Sequence, residues 1–243
     1  MQSSGDAAFD AGRLERYWLA SYRRAMTERF DFLLFDIGGV IGDFDRVALA
    51  SAAKDARIDP RPSLEFWRSG YDAGEDGDHP MHRAERGELS NAELLQFAET
   101  FAPGASVLFD RASPCHLIRF TIPSSGWADV GLGARKAGLR IGALTNTLDG
   151  FAEADVLALN PAMHAHVRGL FGEDVLESHV IKCRKPSRAA FTAALAHFGV
   201  EPSRVLFVDD EAGNCKGAEA VGMTAVYCVD ASAQQVVRQL LSL

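Results

Sequence analysis

Phe32-Leu33-Leu34-Phe35-Asp36-Ile37-Gly38-Gly39-Val40 is the stretch from which the rest of the chain is read. Four apolar residues run into a carboxylate, and two glycines soon follow. An apolar run of this length bounded by glycine reads as a strand buried on both faces, as in the middle of a parallel sheet. Asp36 then sits at the carboxyl end of that strand, the edge at which open α/β sheets bind ligands. There it is a candidate nucleophile or metal ligand. Taken alone, it is equally a turn former closing the strand, since aspartate close to glycine is a common turn signal.

Downstream, apolar strands alternate with helical patterns. The sequence predicts a helix over 127–137 closed by Gly138, a strand over 139–145 ending in Thr-Asn-Thr, and a mostly helical segment over 149–171. A short strand is expected over 177–181, then a helix over 187–198 with Phe191, Leu195 and Phe198 on one side and Gly199 after its end. A strand over 205–208 runs into Asp209-Asp210, and a helix (213–221), a strand (224–229) and a closing helix (231–243) complete the chain. Strand followed by helix at this spacing predicts an α/β fold with a doubly wound parallel sheet.

Between the first two buried strands the pattern differs. Residues 41–45 read as a tight loop or small hairpin, and 47–124 as helical, without a convincing buried strand. Ser90-Asn-Ala-Glu93 is a capping-box sequence that opens a helix carrying Leu94, Leu95, Phe97 and Phe101. The expected organisation is a helical extension over 1–30, a core made of 31–46 and 125–243, and a helical cap over 47–124. Within the extension, Leu14, Tyr17, Trp18, Leu19 and Tyr22 alternate with arginines in the manner of an amphipathic helix.

Composition narrows the function classes. The chain has 243 residues, 47% hydrophobic and 24% charged, an ordinary globular balance with enough length for a large core. Its net charge of −8, without a lysine/arginine block, argues against nucleic acid or an anionic membrane as a partner. Cys115, Cys183, Cys215 and Cys228 form no C-x-x-C pair or zinc-site spacing and read as free thiols. With no basic-then-apolar leader, a cytoplasmic location is expected. The N-terminal helix and the cap are both candidate surfaces for a homodimer, and a monomer is the alternative.

The polar ends of the strands carry the chemistry. Asp36, Thr145-Asn146 and Asp209-Asp210 all converge on one edge of such a sheet, and Lys185 joins them from just before Pro186. Singly, these are caps, turn formers and a solvated lysine. Together, three acids, a hydroxyl, an amide and a lysine have the makings of a Mg²⁺ and phosphate site: hard oxygen ligands for the cation, a cation and a hydroxyl for the phosphoryl oxygens.

In that order, Phe-Asp36-Ile-Gly-Gly-Val, Leu-Thr145-Asn146-Thr, Arg184-Lys185-Pro186 and Phe-Val-Asp209-Asp210-Glu-Ala-Gly-Asn214 resemble the four motifs of the haloacid dehalogenase (HAD) superfamily, whose core is a Rossmann-like sheet. The resemblance runs from about residue 30 to the C-terminus. His82-Arg-Ala-Glu-Arg-Gly87-Glu-Leu-Ser resembles the cap of the branch that contains bacterial sugar-phosphate phosphatases and the phosphatase domain of soluble epoxide hydrolase. The resemblance implies that Asp36 attacks phosphorus and forms an aspartyl-phosphate, which water hydrolyses. It implies that Thr145 and Lys185 hold the phosphoryl group, and that Asp36, the Gly38 carbonyl and Asp210 bind Mg²⁺, with Asp209 acting on it directly or through a ligand water. Asn146 and Asn214 would orient these groups, and the substrate would be a small phosphorylated metabolite, a sugar phosphate among the candidates.

One position departs from the pattern. Most phosphatases of the superfamily carry a second aspartate two residues after the nucleophile, as general acid toward the leaving group; here that residue is Gly38. Such catalysis typically contributes about 10²- to 10⁴-fold. Good leaving groups, replacement of the acid by Asp43, Asp45 or a cap residue, and loss of catalysis are the three ways the chain could accommodate this. The Gly-Gly form also occurs in the resembling branch alongside phosphatase activity. In the cap, His79, His82, Arg83, Arg86 and Glu88 are candidates to reach the site, with Arg86 the candidate substrate contact, and each is equally a participant in salt links within the cap. Trp67 reads as cap core, and His116, His164, His166, His179 and His197 as structural. The alternatives to a phosphatase are a 2-haloacid dehalogenase, which also uses an aspartate nucleophile but needs no metal, and a non-catalytic protein that binds a phosphorylated ligand.

Overall fold

The computed structural model describes residues 30–72, 76–107, 121–149, 160–228 and 230–243; the expected helix around residues 14–22, together with Cys115 and His116, lies outside them. Its centre is β1 (Phe32–Phe35), in a sheet with β4 (Arg140–Thr145), β5 (Val175–Glu177), β6 (Val205–Asp209) and β7 (Thr224–Tyr227), in the order β5-β4-β1-β6-β7. Every pairing is parallel. Phe35 lies opposite Ala143 on one side and Val208 on the other. The chain therefore leaves β1 toward opposite sides, and the crevice where the strand order reverses opens beyond Asp36.

Both faces of β1 are buried, as the unbroken apolar run requires. Leu33 and Phe35 pack with Trp127, Val130 and Ala134 of α5 (Ser125–Lys136), Leu170 and Phe171 of α6 (Pro161–Phe171), and Val237 of α10 (Ser232–Leu240). Phe32 and Leu34 pack on the opposite face with Phe191, Ala194 and Phe198 of α8 (Arg188–Phe198) and Cys215 and Ala218 of α9 (Ala212–Glu219). Each large side chain buried in this way contributes about 1.5–3 kcal/mol. The result is the doubly wound α/β sheet of three layers that the strand–helix alternation predicts.

Two local expectations are corrected. Residues 41–45 form no hairpin of their own: β2 (Gly42–Phe44) pairs antiparallel with β3 (Thr121–Pro123), so a strand lies within the stretch expected to be helical throughout. Both strands are three residues long and carry no buried apolar run, so only their long-range pairing identifies them. Likewise, the short strand expected over 177–181 is β5, ending at Glu177, followed by the helical turn α7 (Ser178–Ile181). Ser178 and His179 turn to side-chain bonding instead: Thr147 N donates to Ser178 Oγ at 2.9 Å, and Thr147 Oγ1 meets His179 Nδ1 at 2.9 Å.

Between β2 and β3 lie α1 (Arg46–Asp55), α2 (Arg61–Asp72), α3 (Pro80–Glu85) and α4 (Asn91–Phe101). Phe66, Met81, Ala84, Leu89, Leu94, Ala98 and Ala105 give α2, α3 and α4 an apolar cluster of their own, and Leu49 of α1 packs apart from it with Ala48, Ala52, Ile58 and Val107. The capping box forms as expected: Ser90 N donates to Glu93 Oε2 at 2.8 Å and Glu93 N to Ser90 Oγ at 3.3 Å. Two histidines hold the polar side of the unit. His82 is buried, accepts from Gly77 N on Nδ1 at 3.1 Å, and so donates from Nε2 to Gly70 O at 2.7 Å. His79 caps α3 by accepting from Met81 N at 3.2 Å, with Ser69 Oγ at 3.0 Å from its Nε2.

Both rings work as neutral imidazoles, and both are held below the usual histidine range, by burial first and then by nearby positive charge, from Arg184 on both rings and from His82 on His79. The unfolded chain thus takes up protons near pH 6.5 that the folded chain refuses. This contribution to stability is complete above about pH 6.5 and is lost as pH falls toward the lowered folded values. Amide exchange of 79–86, corrected for its intrinsic pH dependence, is expected to accelerate between pH 7.5 and 5.5. His82→Gln should flatten that difference, and a profile unchanged by the substitution would contradict it.

Candidate active site

The register of the sheet assembles the polar edge. Asp36 N donates to Val208 O at 2.8 Å, which sets Asp36 beside Asp209, and Thr145 follows two residues after Ala143 on the other neighbour of β1. Asp36, Asp209 and Asp210 each present an oxygen within 4.8 Å of the others. Lys185, 1% exposed, places Nζ 2.8 Å from Asp36 Oδ1 and 2.7 Å from Asp209 Oδ2. Thr145 is buried at the end of β4.

Each group is held by its surroundings. Asp36 Oδ1 accepts from Ile37 N at 2.7 Å. Asp209 Oδ1 accepts from Glu211 N at 2.8 Å and from Asn214 Nδ2 at 3.0 Å. Asn146 brackets the lysine, accepting from Lys185 N at 2.9 Å and donating to Lys185 O at 3.1 Å. Two glycines permit close approaches. Gly39 has φ +72°, and a Cβ there would fall 1.9 Å from Asp210 Oδ2; a Cβ on Gly217 would fall 2.4 Å from Pro186 O, so α9 presses directly on the turn after Lys185. At Gly38 an added Cβ would meet no heavy atom within 4 Å.

The electrostatics are unbalanced. Burial pushes Asp36 up to about 7, with Asp209 adding to the rise and Lys185 opposing it. Burial likewise pushes Asp210 up to about 8, helped by Asp36 and Asp209. Burial disfavours the Lys185 ammonium, but Asp209 and Asp36 outweigh that and raise it above the usual lysine range. Three carboxylates against one ammonium leave 3 − 1 = 2 negative charges uncompensated when all are ionised. A hard divalent cation bound by these oxygens removes the deficit, so the donor set fits such an ion.

The structure thus brings together Asp36, Gly38, Thr145, Asn146, Lys185, Asp209, Asp210 and Asn214. Arg86 is instead engaged within the cap: it pairs with Asp76, donates to Glu88 Oε1 at 2.6 Å and to Gly77 O at 3.1 Å. Of the substitutes for the missing acid, Asp45 caps α1, accepting from Ala48 N at 2.8 Å, and Asp43 is exposed on β2. Two cap residues escaped the sequence reading. Glu85 accepts from Arg184 Nε at 2.5 Å in a buried ion pair, although the HAD-like motif treats Arg184 only as the neighbour of Lys185. Tyr71 is partly exposed, and burial of its phenol, then the charge of Glu85, Asp36, Asp210 and Glu211, push it well above its ordinary value. Glu85 lies within the His82–Ser90 stretch that carries the cap resemblance, but neither it nor Tyr71 carries a local sequence signal for these surroundings.

Comparisons with known proteins agree with this geometry. A sequence model of haloacid dehalogenase-like hydrolases matches residues 30–222. An HAD family enzyme from Bacteroides thetaiotaomicron, solved as the wild-type protein in complex with magnesium and inorganic phosphate, superposes with a TM-score of 0.54 at 21% identity, over 82% of this chain and 93% of that one. A predicted HAD-like family hydrolase from Porphyromonas gingivalis superposes with a TM-score of 0.55 at 21% identity, over 83% and 91% of the two chains. An L-2-haloacid dehalogenase from Xanthobacter autotrophicus, with chloropropionic acid covalently bound, gives 0.57 at 19%, over 88% and 83%. At these identities the superpositions speak to the fold alone.

The raised carboxyls have a consequence for stability. Asp36 and Asp210 hold protons in the folded chain at pH values where the unfolded chain has released them, so their ionisation opposes folding. That penalty is complete above about pH 8 and is relieved as pH falls toward the ordinary aspartate value. In protein stripped of divalent ions, Asp210→Asn should raise the melting temperature at pH 8.5 by roughly 5 °C or more. The gain should shrink toward pH 4, and a melting temperature that falls at pH 8.5 would refute the repulsion.

Proposed function

Because the chain belongs to the haloacid dehalogenase-like hydrolases, we propose that it is a Mg²⁺-dependent phosphomonoester hydrolase acting on a small phosphorylated metabolite through a covalent phosphoryl intermediate on Asp36. The observation that carries this reading is the convergence of three carboxylates, two of them pushed toward neutral pH, around a single buried lysine. Such a set suits a site that takes up a cation and a phosphate together.

In this scheme an oxygen of Asp36 attacks phosphorus, the leaving-group oxygen departs with its bonding pair, and the acyl phosphate forms. Water then cleaves the phosphorus–oxygen bond, releasing inorganic phosphate and restoring the Asp36 carboxylate. Lys185 favours the ionised, nucleophilic form of Asp36 and offers its remaining donor capacity to a phosphoryl oxygen. The Thr145 hydroxyl donates to a second phosphoryl oxygen. Asn146 fixes the lysine through its backbone, and Asn214 fixes Asp209. Asp36, the Gly38 carbonyl, Asp209 and Asp210 would hold Mg²⁺, which supplies charge neutralisation when bound. In this reading residues 47–124 act as the cap over a core of 31–46 and 125–243.

A 2-haloacid dehalogenase is the second reading, favoured by the glycine at position 38 and by the Xanthobacter autotrophicus neighbour. Its halide leaves without a proton and its chemistry needs no cation. Asp209 and Asp210 then have no evident purpose, which places it behind the phosphatase.

Phosphate release from an aryl phosphate, which has a good leaving group, is expected with Mg²⁺, and should be abolished by chelator and by Asp36→Asn. Halide release from 2-chloropropionate in the presence of chelator would establish the dehalogenase instead, and Mg²⁺ binding without turnover of any ester would establish a binding protein. Gly38→Asp fits the open space at that position. It should raise turnover of alkyl phosphates by roughly tenfold or more while leaving the aryl ester nearly unchanged. Equal effects on both esters would mean that the leaving-group proton is not what position 38 lacks.

A further inference from the structure

We propose that Glu85 is a positioning residue for Lys185, acting through Arg184, so that docking of cap helix α3 and placement of the phosphoryl-binding ammonium are one event. The catalytic consequence rests on the phosphatase reading; the coupling itself does not.

The seam is built from few groups. Arg184 is 6% exposed and Glu85 4% exposed, and Arg184 Nε donates to Glu85 Oε2 at 2.5 Å across 99 residues of sequence. Among the described residues, the buried Arg184 Nη1 has no hydrogen-bond partner, its nearby carboxylate being Asp76 Oδ1 at 3.7 Å. The bond from Nε to Glu85 is therefore the main anchor of the guanidinium. Asp76 is itself tied to Arg86, and the adjoining Gly77 donates to His82, so the groups that face Arg184 belong to one connected part of the cap. Gly87 seats this part on the core: a Cβ there would fall 3.0 Å from His179 O and 2.4 Å from Lys182 Nζ.

On the core side, the backbone next to Arg184 is rigid. Ser187 donates to Arg184 O from N at 3.0 Å and from Oγ at 2.7 Å. Asn146 holds both polar groups of the Lys185 backbone, and Gly217 packs against Pro186 O. Displacement of the Arg184 side chain is then carried to the next residue by a stiff turn rather than absorbed in a loose one. Lys185 has little tolerance for such movement, because its Nζ spans two carboxylates at 2.8 and 2.7 Å. The burial of the pair makes the coupling strong: once Glu85 loses its charge, the buried guanidinium is left with Asp76 alone, 3.7 Å away and already tied to Arg86.

Glu85→Gln is nearly isosteric and removes the charge, and Arg184→Lys keeps the charge but shortens and reshapes the contact. In ligand-free protein, amide exchange is expected to rise at least threefold in both 79–87 and 182–187 for either variant. A rise confined to 79–87, or no rise, would overturn the coupling by showing that Asn146 and Ser187 hold the turn whatever the cap does. Kinetics on the aryl phosphate give the second readout. Each variant should lower kcat at least tenfold with KM changed less than threefold, and the double variant Glu85→Gln/Arg184→Met should be no slower than Arg184→Met alone. Additive losses, or a change in KM alone, would mean that Glu85 acts on substrate rather than on Lys185. If the wild type turns over no phosphate ester, the phosphatase reading fails and the exchange comparison still decides the coupling.

Discussion

The bridge made by Lys185 between Asp36 and Asp209 is the constraint on which the site depends. An ammonium at 1% exposure survives only with anionic partners, and two carboxylates side by side survive only with a cation between them. The sheet supplies the geometry: β1 and β6 run parallel in a register that leaves Asp36 and Asp209 level, and the chain returns from the far side of β4 to deliver the lysine from a turn. The third acid tips the balance. Asp210 enters over Gly39, where only a glycine permits it, and when all three acids are ionised the sheet edge carries a repulsion that a divalent cation or a proton would relieve.

Most of this is legible in the sequence, for a physical reason. A strand buried on both faces must be continuously apolar, so Phe32 to Phe35 and Val205 to Val208 stand out, and the acids that end them stand out equally. Asp36, Thr145, Asn146, Asp209 and Asp210 all adjoin such boundaries, and Lys185 stands out by its place before Pro186. The ribbon β2–β3 could not be read, because pairing between two exposed three-residue segments leaves no periodic trace. Nor could the turn α7, where Ser178 and His179 take side-chain partners on Thr147 that no local pattern announces. The roles of Glu85 and Tyr71 exist only in three dimensions: on their own helices they are an ordinary acid and an ordinary aromatic. Conversely, Arg86 looked available in sequence and is engaged by Asp76, Glu88 and Gly77.

The insert is apolar within and meets the core through polar groups as well as Leu148. Phe66, Met81, Leu94 and their neighbours keep α2, α3 and α4 together, while Glu85 and Arg184 join them to the turn that carries Lys185. This division matters for motion. A unit with its own core moves as a body, and a seam made of directional polar contacts has few acceptable docked positions. The neutral imidazoles of His79 and His82 serve the same end, since each accepts from one backbone amide and locks a chain reversal without adding charge near Arg184.

The ribbon β2–β3 has a wider implication. The helices of the insert leave the core through Gly42 to Phe44 and return through Thr121 to Pro123, and these two short strands are paired with each other. Ser124 N also donates to Ile41 O at 2.8 Å, so exit and entry are clasped next to the loop that follows Asp36. Because the clasp closes the ends of the insert locally, the sheet does not register how long the excursion between them is. Doubling such an excursion costs only about 0.6 kcal/mol in closure entropy. The body above the site is therefore free to be lengthened, trimmed or exchanged over evolutionary time, while Asp36 and its partners stay where the sheet puts them.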